Sequence, residues 1–342
     1  MKRDELLKGL QAVSVGMVSG SLLEHSDCFH FRDGFVYMFS DEVVCRAPLP
    51  QNADIVGAVP ASPLLKSLSS LPDEEIDIGV KDGELRVVAK SSYIKRKSKL
   101  VPSRQFGLAC HSDAEFPFPS VMGDVEWMPL ESGTMEKLEV VGSCASRDEA
   151  RFLLTCVHLT PDYAEASDDT QICRAMLPMK VDAVVRWESL SRVCRFGAVA
   201  VGDSDEWLHF AADNDRGMRI AIRKHNQEYP SLDKFLNRDG KKVALPEGLG
   251  NAVDRADVFL SAASGDPVVS VQFRGNMVVL SASSDIGWYK EAHQIKWGGE
   301  PCSFLISSKV LRNIVNRSKE CELGSGWIKV KWDEFTFLGA TG

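Results

Sequence analysis

Residues Ser303 to Leu338, SFLISSKVLRNIVNRSKECELGSGWIKVKWDEFTFL, read as a strand, a helix and a hairpin. Val310, Leu311, Ile314 and Val315 recur with helical period, while Lys309, Arg312, Asn316 and Lys319 fall on another face. No acidic residue stands between Ser307 and Lys319, and a Gly-Ser-Gly turn precedes an alternating run, Trp327 to Phe337, that reads as one strand or two. The stretch predicts a helix with an apolar inner face and a cationic outer one, backed by a sheet. A lone basic helix face is ordinarily solvated surface. Here two more stretches have the same order: VPASPLLKSLSSLPDEEIDIGVKDGELRVVAK from Val59 and LPMKVDAVVRWESLSRVCRFGAVAVGDSDEWLHFAADN from Leu177.

Length and composition narrow the class. The 342 residues, 44% hydrophobic and 26% charged, suit two or three globular domains and exclude a disordered chain. No signal-like N-terminal segment and no bilayer-length apolar run is present, which predicts an intracellular, cytoplasmic protein without membrane contact. Nine cysteines without a Cys-x-x-Cys pair or a His/Cys cluster at zinc spacing predict free thiols and no metal. A net charge of −8 confines any nucleic-acid contact to a local basic lining.

The order helix, strands, helix, strands is expected three times. Asp4 to Met17 opens the first third as a helix, followed by strands at Cys28–Phe31, Phe35–Phe39 and Val43–Ala47. The basic run Lys95–Lys99 reads as a lysine-blocked strand edge, and residues 115–119 break regular structure. The second third has a helix at Gly133–Ala145, a strand at Arg151–Leu159 and a further helix carrying Lys180, Arg186, Arg192 and Arg195; the last has a helix at Ala252–Ala262 and strands at Val268–Phe273 and Met277–Ala282. Ser-Asp pairs at Ser40, Ser167 and Ser284 step by 127 and 117 residues, and the second helices, starting near Ser62, Lys180 and Ser308, step by 118 and 128. Solenoid repeats run to about 20–50 residues. These are therefore read as three copies of one α+β domain, 1–122, 123–239 and 240–342.

With DGFVYMFSDEVVCRAPLP in the first third, SRDEARFLLTCVHL, EASDDTQICRAMLP and QEYPSLDKFL in the second, and RADVFLSAASGDPVVSVQFRGNMVVLSASSDIG and FLISSKVLRNIV in the third, the chain resembles the bacterial-type beta sliding clamp, the polymerase processivity factor, as a divergent or phage-encoded member. The resemblance implies a homodimeric ring of six domains, antiparallel sheets outside and helices lining a hole around double-stranded DNA. It also implies a replicative DNA polymerase and a clamp loader as partners, no cofactor and no catalysis. Lining candidates are Lys8, Lys66, Lys180, Arg186, Arg192, Arg255, Lys309, Arg312 and Lys319, with Arg147 at the family's DNA-touching loop position. The family's peptide-docking pocket, between the second and third domains, would be lined by Leu154, Ser167, Asp169, Thr170, Ile172, Phe337 and Leu338, beside a free C-terminus. The family's Thr-Asp-Gly-His-Arg run is Ser-Asp-Asp-Thr-Gln here, Ser167 to Gln171, which predicts a different peptide, that of a cognate phage polymerase. Val258 and Phe259 match one side of the family's dimer contact.

Other classes are weaker. No Walker loop, Gly-x-Ser-x-Gly elbow, His-Glu-x-x-His or dinucleotide fingerprint is present. A structural or virion protein built from repeated mixed domains is the alternative, separated from a clamp by whether Lys309, Arg312 and Arg186 share one surface.

Overall fold

The computed structural model describes the chain apart from residues 18–22, 52, 91–92, 97–98, 113, 115, 117–120, 213–216, 261–266, 298 and 342. Much of the expected break at 115–119 and part of the basic run Lys95–Lys99 lie outside the described residues. The helices are α1 Arg3–Val13, α2 Ala61–Ser70, α3 Thr134–Gly142, α4 Trp187–Phe196, α5 Asp233–Leu236, α6 Leu249–Leu260 and α7 Ser308–Arg317. Strands and helices group into two compact units, Met1–Glu136 with Glu188–His225, and Lys137–Trp187 with Asn226–Gly342. The fold class is α+β with antiparallel pairing.

In the first unit an antiparallel sheet runs, in order, Gly57–Pro60, Cys28–Arg32, Phe35–Phe39, Val43–Pro48, Arg219–His225, Trp207–Ala211, Ala200–Asp203 and Trp127–Pro129. Val43↔Ile222 and Cys45↔Ile220 are register partners, so segments far apart in sequence share one ladder. α1 packs on this sheet and on α2, burying Leu6, Leu10 and Val13. A three-stranded sheet, Ile76–Lys81, Glu84–Ala89 and Gln105–Ala109, completes the unit with the pair Tyr93–Arg96 and Lys99–Pro102.

The second unit repeats the plan. Its sheet runs Ala183–Arg186, Cys156–Leu159, Tyr163–Ser167, Gln171–Met176, Phe335–Ala340, Trp327–Trp332, Glu320–Gly324 and Lys241–Ala244. A four-stranded sheet, Gly287–Gln294, Met277–Ser284, Val268–Arg274 and Cys302–Ser307, lies under α6, which also packs on α7.

Three strands lead straight into ten-residue helices: Gly57–Pro60 into α2, Ala183–Arg186 into α4 and Cys302–Ser307 into α7. Their starts, 61, 187 and 308, are 126 and 121 residues apart. The middle one begins seven residues later than expected. Lys180 sits in an irregular segment at φ 54°, and the Val-rich run after it pairs as a strand, Cys156↔Arg186 through Leu159↔Ala183, before Trp187 opens the helix. The strand expected over 151–159 is likewise shorter. The Asp148 carboxylate accepts from the Ala150 amide at 3.0 Å and the Thr155 hydroxyl donates to the Phe152 carbonyl at 2.7 Å, winding Glu149–Thr155 into 3₁₀ turns and leaving Cys156–Leu159 as the strand. Gly142 is required at the end of α3 because a Cβ there would run into the Trp187 ring.

His209 is buried in the first unit with Nε2 2.9 Å from the Ser204 hydroxyl. Burial, helped by the Arg219 charge, lowers its pKa to about 4. An unfolded histidine takes its proton at about 6.5, so the unfolded state binds more protons between these values. Stability is therefore full above about 6.5 and falls as pH drops towards 4, by about 3 kcal/mol from this residue. His209→Gln should flatten that part of the pH dependence in urea unfolding; an unchanged slope would mean that other groups carry it.

Candidate functional site

α7 buries Val310, Leu311 and Ile314 and leaves Lys309 exposed, as its period requires. Arg312 does not stand free. Its Nε donates to Asp254 at 2.8 Å and its Nη2 to Asp257, both on α6, and these bonds, the Asp257 one foremost, raise its pKa. Arg255 on α6 is held by Tyr289 and by both carboxylate oxygens of Glu291 at 2.8–2.9 Å. Arg192 on α4 donates to the Val15 and Met17 carbonyls at 2.7 and 2.8 Å and to Glu188 at 3.0 Å, acting as a staple. Arg186 ends a strand rather than lying on a helix, and it bonds Glu149. The remaining candidates, Lys8, Lys66, Arg147, Lys180, Lys309 and Lys319, are exposed and, among the described residues, make no ion pair. Arg195, on the exposed side of α4, joins them; its Nε donates only to the Ser191 carbonyl, at 3.3 Å.

In the second unit one sheet face carries a packed apolar cluster. Ile172 and Leu338 are register partners and pack with Cys156, Val184, Tyr229, Leu232, Leu236 and Trp327, while Phe152, Leu153 and Phe235 form a half-buried rim. Strand alternation sends Phe337, paired with Cys173, to the opposite face, away from this cluster. Nor is the tail free: Phe335–Ala340 lies between Gln171–Met176 and Trp327–Trp332 as an inner strand. Leu154 is half-buried in the 3₁₀ segment, and its neighbours Phe152 and Leu153 supply the packing. Ser167, Asp169 and Thr170 build the corner that leads into Gln171 and Ile172. The Ser167 hydroxyl donates to the Asp168 and Gln171 carbonyls, the Asp168 carboxylate accepts from the Thr170 amide at 2.7 Å and the Gln171 amide at 2.8 Å, and Asp169 pairs with Arg151.

The same sheet face has a polar half. His158, Glu165 and Arg174 stand side by side on three strands; His158 Nδ1 lies 3.0 Å from Glu165, and Arg174 donates to Glu165 at 2.6 and 2.9 Å and pairs with Asp233 of α5 at 2.8 Å. Tyr229 stacks on His158, ring centroids 5.1 Å apart, and burial holds its phenol pKa up. These contacts fix α5 over the sheet and so fix the rim residue Phe235.

No family model matches the sequence and no curated protein does. Solved structures do. A Pseudomonas aeruginosa DNA polymerase III subunit beta matches with TM-score 0.81 at 16% identity, and a Caulobacter crescentus DNA polymerase sliding clamp with 0.83 at 15%, each over 100% of this chain and 98% of that one. A Streptococcus pneumoniae DNA polymerase III beta chain matches with 0.82 at 16%, over the same shares. The fold is that of the beta sliding clamp.

On this clamp fold one more surface stands out. Gly287–Gln294 is the end strand of the four-stranded sheet, and Trp288 there is 72% exposed, beside Ile286 at 62% and Val258 at 65%. Phe259 is tucked away, stacked on Tyr289 with centroids 5.9 Å apart. In the first unit Gln105–Ala109 is likewise an end strand, with Phe106 and Leu108 half-buried. Ile286 and Trp288 were not among the residues expected from sequence, although the alternation of GWYKEAHQ sets Trp288 on the solvent side with Lys290 and Ala292.

Arg174→Met should leave buried Glu165 short of its cationic partner and cost about 3 kcal/mol in urea unfolding at neutral pH. Asp233→Asn removes only an exposed partner and should cost under about 1 kcal/mol. Equal losses would show that Glu165 does not depend on Arg174.

Proposed function

We propose that the chain is a DNA sliding clamp. Two copies, each of three domains (1–122, 123–239 and 240–342), form a cytoplasmic ring that encircles double-stranded DNA, is placed there by a clamp loader and tethers a replicative DNA polymerase, including that of a phage. It needs no cofactor and catalyses nothing itself. What carries this reading is the likeness to beta sliding clamps over the whole chain at TM-scores near 0.8.

The chemistry of the exposed cations fits a sliding contact. Each phosphate neutralised adds affinity and salt dependence, so a ring that moves needs few, diffuse charges. Lys8, Lys66, Lys309 and Lys319 are single flexible ammonium groups with no fork to hold a phosphate in place. The arginines, which could grip, are mostly spent on Asp254, Asp257, Glu291, Glu149 and backbone carbonyls. Nothing in such a lining reads base edges, so sequence preference is not expected.

After loading, protein on a nicked circle should survive a salt challenge that strips it from open linear duplex, because the link is then topological. Lys309→Glu with Lys319→Glu should lower loading and processivity while the fold holds, since both side chains are exposed. Departure from circle and linear DNA at one rate would identify an ordinary weak DNA binder.

The dimer is proposed to join the Val258, Ile286 and Trp288 surface of one copy to the Gln105–Ala109 end strand of the other. Trp288→Asp would bury a charge in that contact and should yield monomers in light scattering with the fold intact. Val258, being exposed, is the second test site; Phe259→Asp would damage the Tyr289 stack instead. A wild type that is monomeric at every concentration would rule out the ring.

A further inference from the structure

The first unit holds an open cavity of about 420 Å³ against its sheet. Trp207 and His209, two residues apart on one strand, and Arg223, the register partner of Trp207, form its sheet side. The wall is the segment 121–125. Gly202, the register partner of His209, lets that segment sit close, since a Cβ there would lie 2.6 Å from a Val125 methyl. Arg46 and Arg219 pin the wall by donating to the Met122 carbonyl at 3.2 and 3.4 Å, and Arg219 also donates to the Gly123 carbonyl at 3.1 Å. The lining is acidic. Asp124, Asp205 and Glu206 are exposed there, and among the described residues their carboxylates have neither an ion pair nor a hydrogen bond. Against them stands Arg223, which lies over the Trp207 ring at 4.9 Å from its centroid and donates to the Asp41 carbonyl at 2.9 Å. Asp203 and Lys224, close by, pair with each other at 2.7 Å.

A second feature is independent of the carboxylates. His209 lines the cavity although it is only 3% exposed, and its Nε2 is taken by the Ser204 hydroxyl. That hydroxyl gives its own hydrogen to the Trp207 carbonyl at 3.0 Å, so it accepts from Nε2–H and leaves Nδ1 as the bare nitrogen. Nδ1 has no hydrogen-bond partner among the described residues and is not sealed in the core. An acceptor so placed is costly until a donor reaches it. We propose that the cavity binds a small organic cation with N–H donors, an alkylammonium or a guanidinium, which gives one hydrogen to His209 Nδ1 while Asp124, Asp205 and Glu206 hold its charge. A metal ion suits the place less, because among the described residues no three such groups converge as ligands, whereas an extended cation carries several N–H groups to separated acceptors. The inference concerns the first unit alone and stands apart from the ring.

The test titrates agmatine, spermidine and hexamethonium, a dication without N–H groups, into the full chain with its histidines carbon-13 labelled at Cε1, and follows the rings by NMR. The His209 signal is the one that His209→Gln removes. Agmatine or spermidine should shift that signal to saturation at low salt, with hexamethonium weaker by roughly fivefold for want of the bond to Nδ1. Asp205→Asn with Glu206→Gln, both exposed and without partners to lose, should weaken the binding by roughly tenfold with the fold unchanged. A His209 signal that neither agmatine nor spermidine moves at millimolar concentration overturns the site. Hexamethonium binding as tightly as the other two overturns the donor to Nδ1 and leaves diffuse attraction only. Affinity unchanged in the double variant places the ligand elsewhere and overturns the proposal as well.

Discussion

Backbone pairing between distant segments is the constraint on which the rest depends. The strand Phe335–Ala340 has a neighbour on each side, so every ladder amide and carbonyl it offers can be satisfied, and its register with Gln171–Met176 is fixed residue by residue. A slip of one place would exchange the faces of Leu338 and Phe337, taking Leu338 out of its apolar cluster and the aromatic ring out of the core on the opposite face. The Val43–Pro48 to Arg219–His225 ladder does the same service in the first unit. A chain that closes its sheets this way cannot be cut into sequence-contiguous pieces without exposing strand edges.

The charge pattern follows from helix packing. α6 supplies Asp254 and Asp257 to Arg312 of α7, and the sheet supplies Glu291 to Arg255 of α6. Those pairs orient the two helices on the sheet, and they withdraw from solvent exchange the cations best suited to gripping a phosphate. What remains outward is mainly lysine, with Arg147 and Arg195. Separate flexible charges give a lining that attracts a polyanion without selecting one position along it, whereas forked, pre-ordered arginines would create preferred stopping points.

Much of this was legible in the residues, and what was not has a physical cause. Val310, Leu311 and Ile314 gave the buried face of α7 because periodicity records which side meets the core. The same sequence could not reveal that Arg312 is neutralised, since its acids lie on a helix some fifty residues earlier. Lys180 looked helical because its neighbours Asp182, Arg186 and Glu188 spread charge at plausible spacing; the valines between them decided for a strand once Cys156–Leu159 offered a partner. Ile172 and Leu338, grouped by family likeness, are register partners, whereas Phe337, one residue earlier on the same strand, points to the other face because strand side chains alternate, and Leu154 lies in a 3₁₀ segment that the sequence reads as strand. Trp288 was overlooked because an exposed tryptophan in an alternating strand looks like any surface residue until the sheet ends beside it.

An end strand with an exposed tryptophan is a hazard in a monomer, since unpaired amides and apolar area together invite promiscuous pairing. It is tolerable when a second surface is reserved for it. Here the two candidate surfaces are unlike: Val258, Ile286 and Trp288 on one, the Phe106 and Leu108 strand on the other. Unlike surfaces joined head to tail form open filaments unless the rotation between copies closes the chain of contacts. A two-membered ring is the smallest closure, and it uses both surfaces of both copies, leaving no free end. In the proposed ring, opening one contact would leave the other intact, so the strength of each contact would be bounded on both sides: enough to keep the ring shut, yet weak enough for one contact to be parted.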